Sequence, residues 1–274
     1  MTVINTNNAA LKSQLAGKIA DSKLTKSAQR LSSGRRINVG ADDAAGSAVG
    51  LKLHAQLQGQ KAAIKTASDA ISLLTLQEAG TLQFVHIIER IRELSVQMAS
   101  GSYSSNDRSL AQLEVDALKS QLSSVASGTM FNNKQILNAS SATTYQIQAG
   151  AGQDESFTIE VIQGATLSNN VSSDADVTTQ SNASSTMNKM LTHSQTAKEY
   201  LATIGASINR LSTTISNLSV SALNTEVAFG RIVDADYARE TINFAQQNVL
   251  ANVSQAMLAN AHQSKRLLTM LLDK

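Results

Sequence analysis

Between Met187 and Phe229 apolar side chains recur in alternating steps of three and four. The positions are Met187, Met190, Ser194, Ala197, Leu201, Ile204, Ile208, Leu211, Ile215, Leu218, Ala222, Thr225 and Phe229, and only Ser194 and Thr225 among them are polar. A mean spacing of about 3.5 residues is the period of a coiled-coil seam, narrower than the stripe of an ordinary surface helix. A helix over this stretch would reach ~65 Å at ~1.5 Å per residue, longer than a compact domain of this mass is wide. Such a seam is buried only if other helices lie alongside it for its full length.

The rest of the chain supplies candidates. Leu11, Leu15, Ile19, Leu24, Ala28 and Leu31 mark an amphipathic helix that Ser32-Ser33-Gly34 stops. Asp42 or Asp43 offers an N-cap for a second helix over about 44–100. That helix carries two seams, one through Ile64, Ala67, Ile71, Leu74, Glu78, Leu82, Val85 and Ile88. The other runs through Leu73, Leu76, Gly80, Phe84, Ile87, Ile91, Leu94 and Met98, and Gly101 sits at the expected stop. Two seams on one helix require two neighbours, hence a bundle. A third helix over about 105–127 ends at Gly128.

Period two then replaces period 3.5. Tyr145-Gln146-Ile147-Gln148 and Phe157-Thr158-Ile159-Glu160-Val161 alternate around Gly150-Ala151-Gly152-Gln153-Asp154, which predicts a β-hairpin over about 143–163. Residues 165–186 are mostly Ser, Thr, Asn, Asp and Ala and read as a polar surface loop. A chain that reverses here has halves that run antiparallel. A last helix, from about Tyr237 to Leu272, follows possible caps at Asp234 and Asp236. It has one stripe through Leu250, Val253, Met257, Ala261, Ser264, Leu268 and Leu271, and another through Ala238, Ile242, Ala245, Val249, Ala256 and Ala259. It is apolar over much of its circumference, more than the N-terminal helix alone can cover. Many copies packing their terminal helices together is the simplest remedy.

Composition sharpens this picture. Aromatics are 3% of the 274 residues, and Pro and Cys are absent. Long unbroken helices are thus permitted, while disulfides, thiol catalysis and Cys-based zinc sites are excluded. Net charge is +2, but residues 1–60 carry eight basic against three acidic residues, and residues 141–190 carry five acidic residues against Lys189. The basic residues are dispersed through a helical pattern with no aromatic interleaving, so nucleic acid is not expected as a partner. No apolar run reaches membrane-spanning length, and Met1 to Ala10 lacks the regions of a signal peptide. A membrane is therefore not an expected partner, and export would proceed without a cleaved leader.

Enzymatic chemistry finds little footing. His54, His86, His193 and His262 show no paired spacing for a metal, and no H-E-x-x-H is present. The close carboxylates Asp42-Asp43 and Asp234/Asp236 sit at predicted helix starts, where capping explains them. The glycines in 34–50 follow no strand, so they do not form a nucleotide loop. No cofactor is expected.

Several blocks resemble bacterial flagellin. Val3-Ile4-Asn5-Thr6-Asn7 with Ala10-Leu11 is similar to the opening of that family. Arg30-Leu31-Ser32-Ser33-Gly34-Arg35-Arg36-Ile37-Asn38 and Ala41-Asp42-Asp43-Ala44-Ala45-Gly46 match its most distinctive block. Arg90 to Gln97, Phe131-Asn132 through Leu137, and Arg231 to Ala238 follow in the family's order. The ending departs from the family pattern: His262 to Leu272 keeps an apolar helical stripe but lacks the usual Pro and Asn-Val-Leu-Ser-Leu-Leu type tail. The large outer domains of many flagellins are also missing, so the chain resembles a short, core-only form.

The resemblance implies a mainly α fold. It would be a long antiparallel helical bundle or coiled-coil rod with a small β-hairpin, its termini pairing as a coiled coil in a filament. Residues 1–40 and 230–274 would form an inner terminal domain and 41–229 an outer rod. Leu11, Leu15, Leu31, Ile242, Val249, Leu250, Val253, Met257, Leu268 and Leu271 would pack subunits. The implied partners are the chain itself, a flagellar export chaperone, and the filament cap and hook-junction proteins. Localisation would be the extracellular flagellum, reached by type III export. Arg90, Leu94 and Glu114 match the residue types gripped by the flagellin-sensing Toll-like receptor, and Ser or Thr within 165–186 are candidate glycosylation sites. A hook–filament junction protein and a non-flagellar coiled-coil scaffold are the competing expectations.

Overall fold

The computed structural model describes residues 6–138, 143–148, 150 and 156–272, with the side chains at 143, 161, 268, 269, 271 and 272 outside the description. The expected residues Leu268 and Leu271, the opening through Asn5 and the connection 151–154 therefore lie outside the described side chains or residues. In order the elements are α1 (Asn8–Ser33), α2 (Ala44–Met98), α3 (Ser105–Gly128), β1 (Met130–Phe131), β2 (Lys134–Gln135), β3 (Thr143–Gln148), β4 (Ser156–Val161), α4 (Gly164–Asp174), α5 (Gln180–Val233) and α6 (Tyr237–Leu272). The fold is mainly α, as the periodicity implies. The chain forms two compact units, Met1–Ala55 with Asn224–Lys274, and Gln56–Leu223.

The first unit is built around α1 and α6. Asn7 caps α1 through its side chain, which accepts from the Ala10 N–H, and Gly34 ends the helix at φ 70°, a left-handed conformation that suits glycine. The two helices run antiparallel: the Asn7 Nδ2 donates to the Ala261 carbonyl at 2.8 Å at one end, and Arg30 approaches Glu240 at 3.7 Å at the other. Between α1 and α2 the chain pairs with the α5–α6 connection. There the Arg36 N–H donates to the Val233 carbonyl at 2.7 Å and the Ala235 N–H to the Gly34 carbonyl at 2.9 Å. Asp43 accepts from the Gly46 N–H at 2.8 Å and so starts α2; Asp236 accepts from the Arg239 N–H at 3.1 Å and starts α6. Asp42 instead binds the loop, accepting from the Asn38 N–H and pairing with Lys26 at 2.7 Å.

In the second unit the α2 and α5 segments run antiparallel, with Gln60 bonded to Ser221 and Lys198 to Glu89. None of the thirteen positions of the α5 seam is exposed. Its central residues, Met190, Ala197, Ile204 and Leu211, meet two stretches of α2. One cluster joins Phe84, Ile88, Ile91 and Met98 to Val115 and Leu122 of α3; the other joins Ala67, Ala70 and Leu74 to the hairpin. The strands β3 and β4 pair antiparallel with Tyr145 opposite Ile159 and Ile147 opposite Phe157. Phe157 and Ile159 are buried while Thr158 and Glu160 between them face outward, which is the period-two pattern of a sheet with one covered face.

Three expectations need correction. Residues 165–186 are not a polar loop: α4 occupies Gly164–Asp174 and buries Leu167 and Val171, and Ala175, Val177 and Ala183 are buried as well. A few apolar residues at helical spacing suffice when α3 is close enough to cover them. The buried line of α2 also merges the two expected seams. Leu76 and Leu82 are exposed, while Gln77, Thr81 and Ser95 are fully buried. The two hydroxyls find partners one turn back in the helix, and the Gln77 NH2 group finds one distant in sequence, while its buried Oε1 has none. The Thr81 hydroxyl donates to the Gln77 carbonyl, the Ser95 hydroxyl to the Ile91 carbonyl, and the Gln77 amide to the Ile136 carbonyl. Finally, Gly101 is not a left-handed cap, since Gly34 is the only glycine with positive φ among the described residues. The buried Arg108 closes α2 instead, its guanidinium donating to the Met98 and Ser100 carbonyls at 2.9 and 2.8 Å.

Candidate assembly interface

The α1–α6 pair turns the wrong residues inward for a molecule that is finished by itself. Along α1 the covered line is Ala10, Ser13, Gly17, Ala20, Leu24, Ser27 and Leu31; along α6 it is Glu240, Asn243, Phe244, Gln247, Ala251, Ser254, Leu258 and Ala261. Small side chains dominate the contact, and a Cβ placed on Gly17 would lie 3.5 Å from the Ser254 Cβ, so the helices approach closely. Leu24, Leu31, Phe244 and Leu258 share that line half-covered, but most of the large apolar residues point the other way. Leu15 is 61% exposed, Ile242 68%, Val253 51%, and Leu11, Val249, Leu250 and Met257 are exposed with them. Of the expected packing residues with described side chains, Leu31 alone falls outside the exposed class.

The energetic sense of this is direct. Burying one such side chain contributes about 1.5–3 kcal/mol, and α1 and α6 together leave seven of the expected contact residues in water. An apolar stripe running the length of a helix pair is the signature of a surface awaiting a partner. Around it, Lys12, Lys18, Lys23 and Lys26 are exposed on α1, which keeps the pair soluble without shielding the stripe. Below, Lys26 and the Asn38 N–H hold the Asp42 carboxyl at a pKa of about 2, so the turn between α1 and α2 is tied by a carboxylate that stays charged.

The second expected site is only partly assembled. Arg90 and Glu114 meet, with Nε and Nη2 of Arg90 donating to Glu114 Oε1 at 2.9 and 2.6 Å, and Nη1 reaching Glu93 Oε2 at 3.1 Å. The two carboxylates push the Arg90 pKa further above its ordinary value. Leu94 is not with them at the surface: it is 4% exposed and belongs to the core with Ile91 and Met98. Within 165–186 the hydroxyls divide likewise. Ser168 and Thr186 are buried, whereas Ser173, Thr178, Thr179, Ser181, Ser184 and Ser185 are exposed.

The histidines do not gather. His193 Nε2 lies 2.9 Å from Asp174 Oδ2, and His54 is tilted against Phe229 with ring centroids 5.7 Å apart. Lys189, and then His193, hold the Asp174 carboxyl below the usual carboxylate range. No metal-holding cluster of His, Asp and Glu is present among the described residues, and no described helix is long and apolar enough to cross a membrane. Sequence reasoning missed Arg108, Gln77 and Asp174, polar residues whose hydrogen-bond partners lie in other elements of the fold.

Comparison with known proteins places these features. Residues 4–142 match the family model of the bacterial flagellin N-terminal helical region, and residues 198–272 that of the bacterial flagellin C-terminal helical region. A flagellin of Halalkalibacterium halodurans is 33% identical over 272 residues, covering 98% of this chain and 99% of the relative. Flagellin FlaB2 of Treponema pallidum is 31% identical over 284 residues, again covering 98% and 99%. Among solved structures, the crystal structure of Bacillus cereus flagellin has a TM-score of 0.52 at 24% identity, covering 60% of this chain and 94% of that one. A putative flagellar hook-associated protein from Vibrio parahaemolyticus has a TM-score of 0.58 at 15% identity, covering 70% and 100%. Both structural likenesses speak to the fold.

Proposed function

Because this chain belongs to the bacterial flagellin family and is a structural subunit of the flagellar filament, we propose that its terminal helices α1 and α6 are the surfaces by which copies polymerise. The observation that carries this reading is the inverted α1–α6 pair, with mostly small and polar residues inside and Leu11, Leu15, Ile242, Val249, Leu250, Val253 and Met257 outside. In a helical homopolymer those side chains are buried by identical neighbours, so each subunit added removes apolar surface from water. Residues 1–40 and 230–274 form the inner part of the filament and 41–229 the outer part.

The finer assignments follow from the same reading. The chain is exported unfolded through the type III apparatus to the extracellular flagellum, held beforehand by an export chaperone and inserted beneath a cap protein, with hook-junction proteins at the filament base. Arg90 and Glu114 present the surface by which the flagellin-sensing Toll-like receptor recognises the subunit, with Leu94 supporting it from the core. Sugars on the outer unit attach to exposed hydroxyls of 173–185. No catalytic step is assigned to any residue.

Seeded polymerisation of the purified monomer, followed by electron microscopy, tests the assembly reading. The parent chain is expected to form filaments and Val253→Asp to remain monomeric with unchanged helix content by circular dichroism. Normal filaments from Val253→Asp would remove α6 from the interface.

A further inference from the structure

Six of the seven methionines have described side chains, and their surroundings separate them sharply. Met98 and Met190 are buried in the second unit and Met187 is half-buried, whereas Met130, Met257 and Met270 are exposed. Met257 is 56% exposed and follows Leu250 and Val253 on one exposed stripe of α6, and Met270 is 64% exposed near the end of the same helix. A thioether in this setting is both reachable by a small oxidant and placed where a packing contact is required.

We propose that Met257, with Met270, is an oxidant-sensitive modification site that controls whether the chain can assemble; this rests on the reading of α6 as an interface. The thioether sulfur attacks a peroxide oxygen, the O–O bond breaks, an S=O bond forms and water leaves. Sulfur is oxidised by two electrons and the peroxide is reduced by two. The product is a polar sulfoxide in the middle of an apolar stripe, where burial against a second copy leaves its oxygen without a donor. In the filament the same contact excludes the oxidant, so assembled subunits are protected. Methionine sulfoxide is reducible by thiol-dependent enzymes, which makes the block reversible.

Monomer and filament are each treated with hydrogen peroxide, mapped by peptide mass spectrometry, and the treated monomer is then seeded. Expected are gains of about 16 Da at Met130, Met257 and Met270 in the monomer, sparing of Met257 in the filament, and a critical concentration raised about tenfold or more after oxidation. Measured against its own untreated sample, Met257→Leu/Met270→Leu should show no rise in critical concentration after peroxide, while Met257→Gln should assemble poorly without it. Equal loss of assembly in the double leucine variant, or normal assembly of fully oxidised parent, overturns the proposal. If Val253→Asp blocks assembly in the same assay, that failure concerns oxidation alone; if Val253→Asp also assembles, the interface reading fails with it.

Discussion

Arg90 and Glu114 stand 24 residues apart in sequence, yet two guanidinium nitrogens share one carboxylate oxygen at 2.9 and 2.6 Å. The pair is about half exposed, with side-chain accessibilities of 44% and 46%. An ion pair so wetted is worth about 0–1 kcal/mol, and salt screens it further. Glu114→Ala is therefore expected to shift the urea midpoint only slightly. In a Toll-like receptor reporter assay, Arg90→Ala should weaken signalling about tenfold, the scale on which a single interface anchor acts. Unchanged signalling would dismiss Arg90 as a contact.

The α5 seam offers a larger effect. Leu211 is fully buried between α2 and the hairpin. Leu211→Ala should cost about 2–5 kcal/mol in denaturant unfolding, because the surrounding helices close the cavity only in part. Leu113→Ala, at an exposed position of α3, should stay within about 0.5 kcal/mol.

Two helical glycines predict opposite signs. At Gly164 a Cβ would collide with the Leu137 carbonyl oxygen and sit 3.0 Å from Phe84 Cε2, so Gly164→Ala should destabilise by about 1–3 kcal/mol. At Gly205, inside α5, nothing lies within 4 Å of an added Cβ. Gly205→Ala should stabilise by about 0.5–1 kcal/mol, through restricted freedom of the unfolded chain. Thermal unfolding of both variants checks the pair.

Acid provides a fourth test. Folding lowers the Asp42 pKa from 3.8 to about 2, chiefly through Lys26 and then the Asn38 N–H. The native state thus binds fewer protons than the unfolded chain between those values. The contribution of Asp42 is complete above pH ~4 and is lost as pH falls toward 2. Melting temperatures of the parent and Asp42→Asn should converge across that window and differ most near neutrality. Parallel curves throughout would show that Asp42 is not the titrating group.

Local patterns were legible because they are written at the scale of one or two turns. The 3.5-residue period gave α5 its seam, Gly34 gave α1 its end, and Asp43 and Asp236 gave α2 and α6 their starts, each through contacts within four residues. Exposure of apolar α6 positions was legible too, since only α1 was available to cover them. The residues 165–174 were misread because their composition is polar, and composition does not tell whether α3 lies near enough to bury Leu167 and Val171.

What the sequence by itself determined is the set of helices and the excess of apolar surface on the terminal pair, both of which follow from spacing along one chain. Only the tertiary structure decided which line of each helix turns inward. It buried Gln77 and Thr81, exposed Leu76 and Leu82, set Arg108 under the end of α2 and brought Arg90 to Glu114. The physical reason is that a helix with apolar residues on several faces has several near-equivalent orientations, and the choice among them is made by side chains distant in sequence that fill space and complete hydrogen bonds.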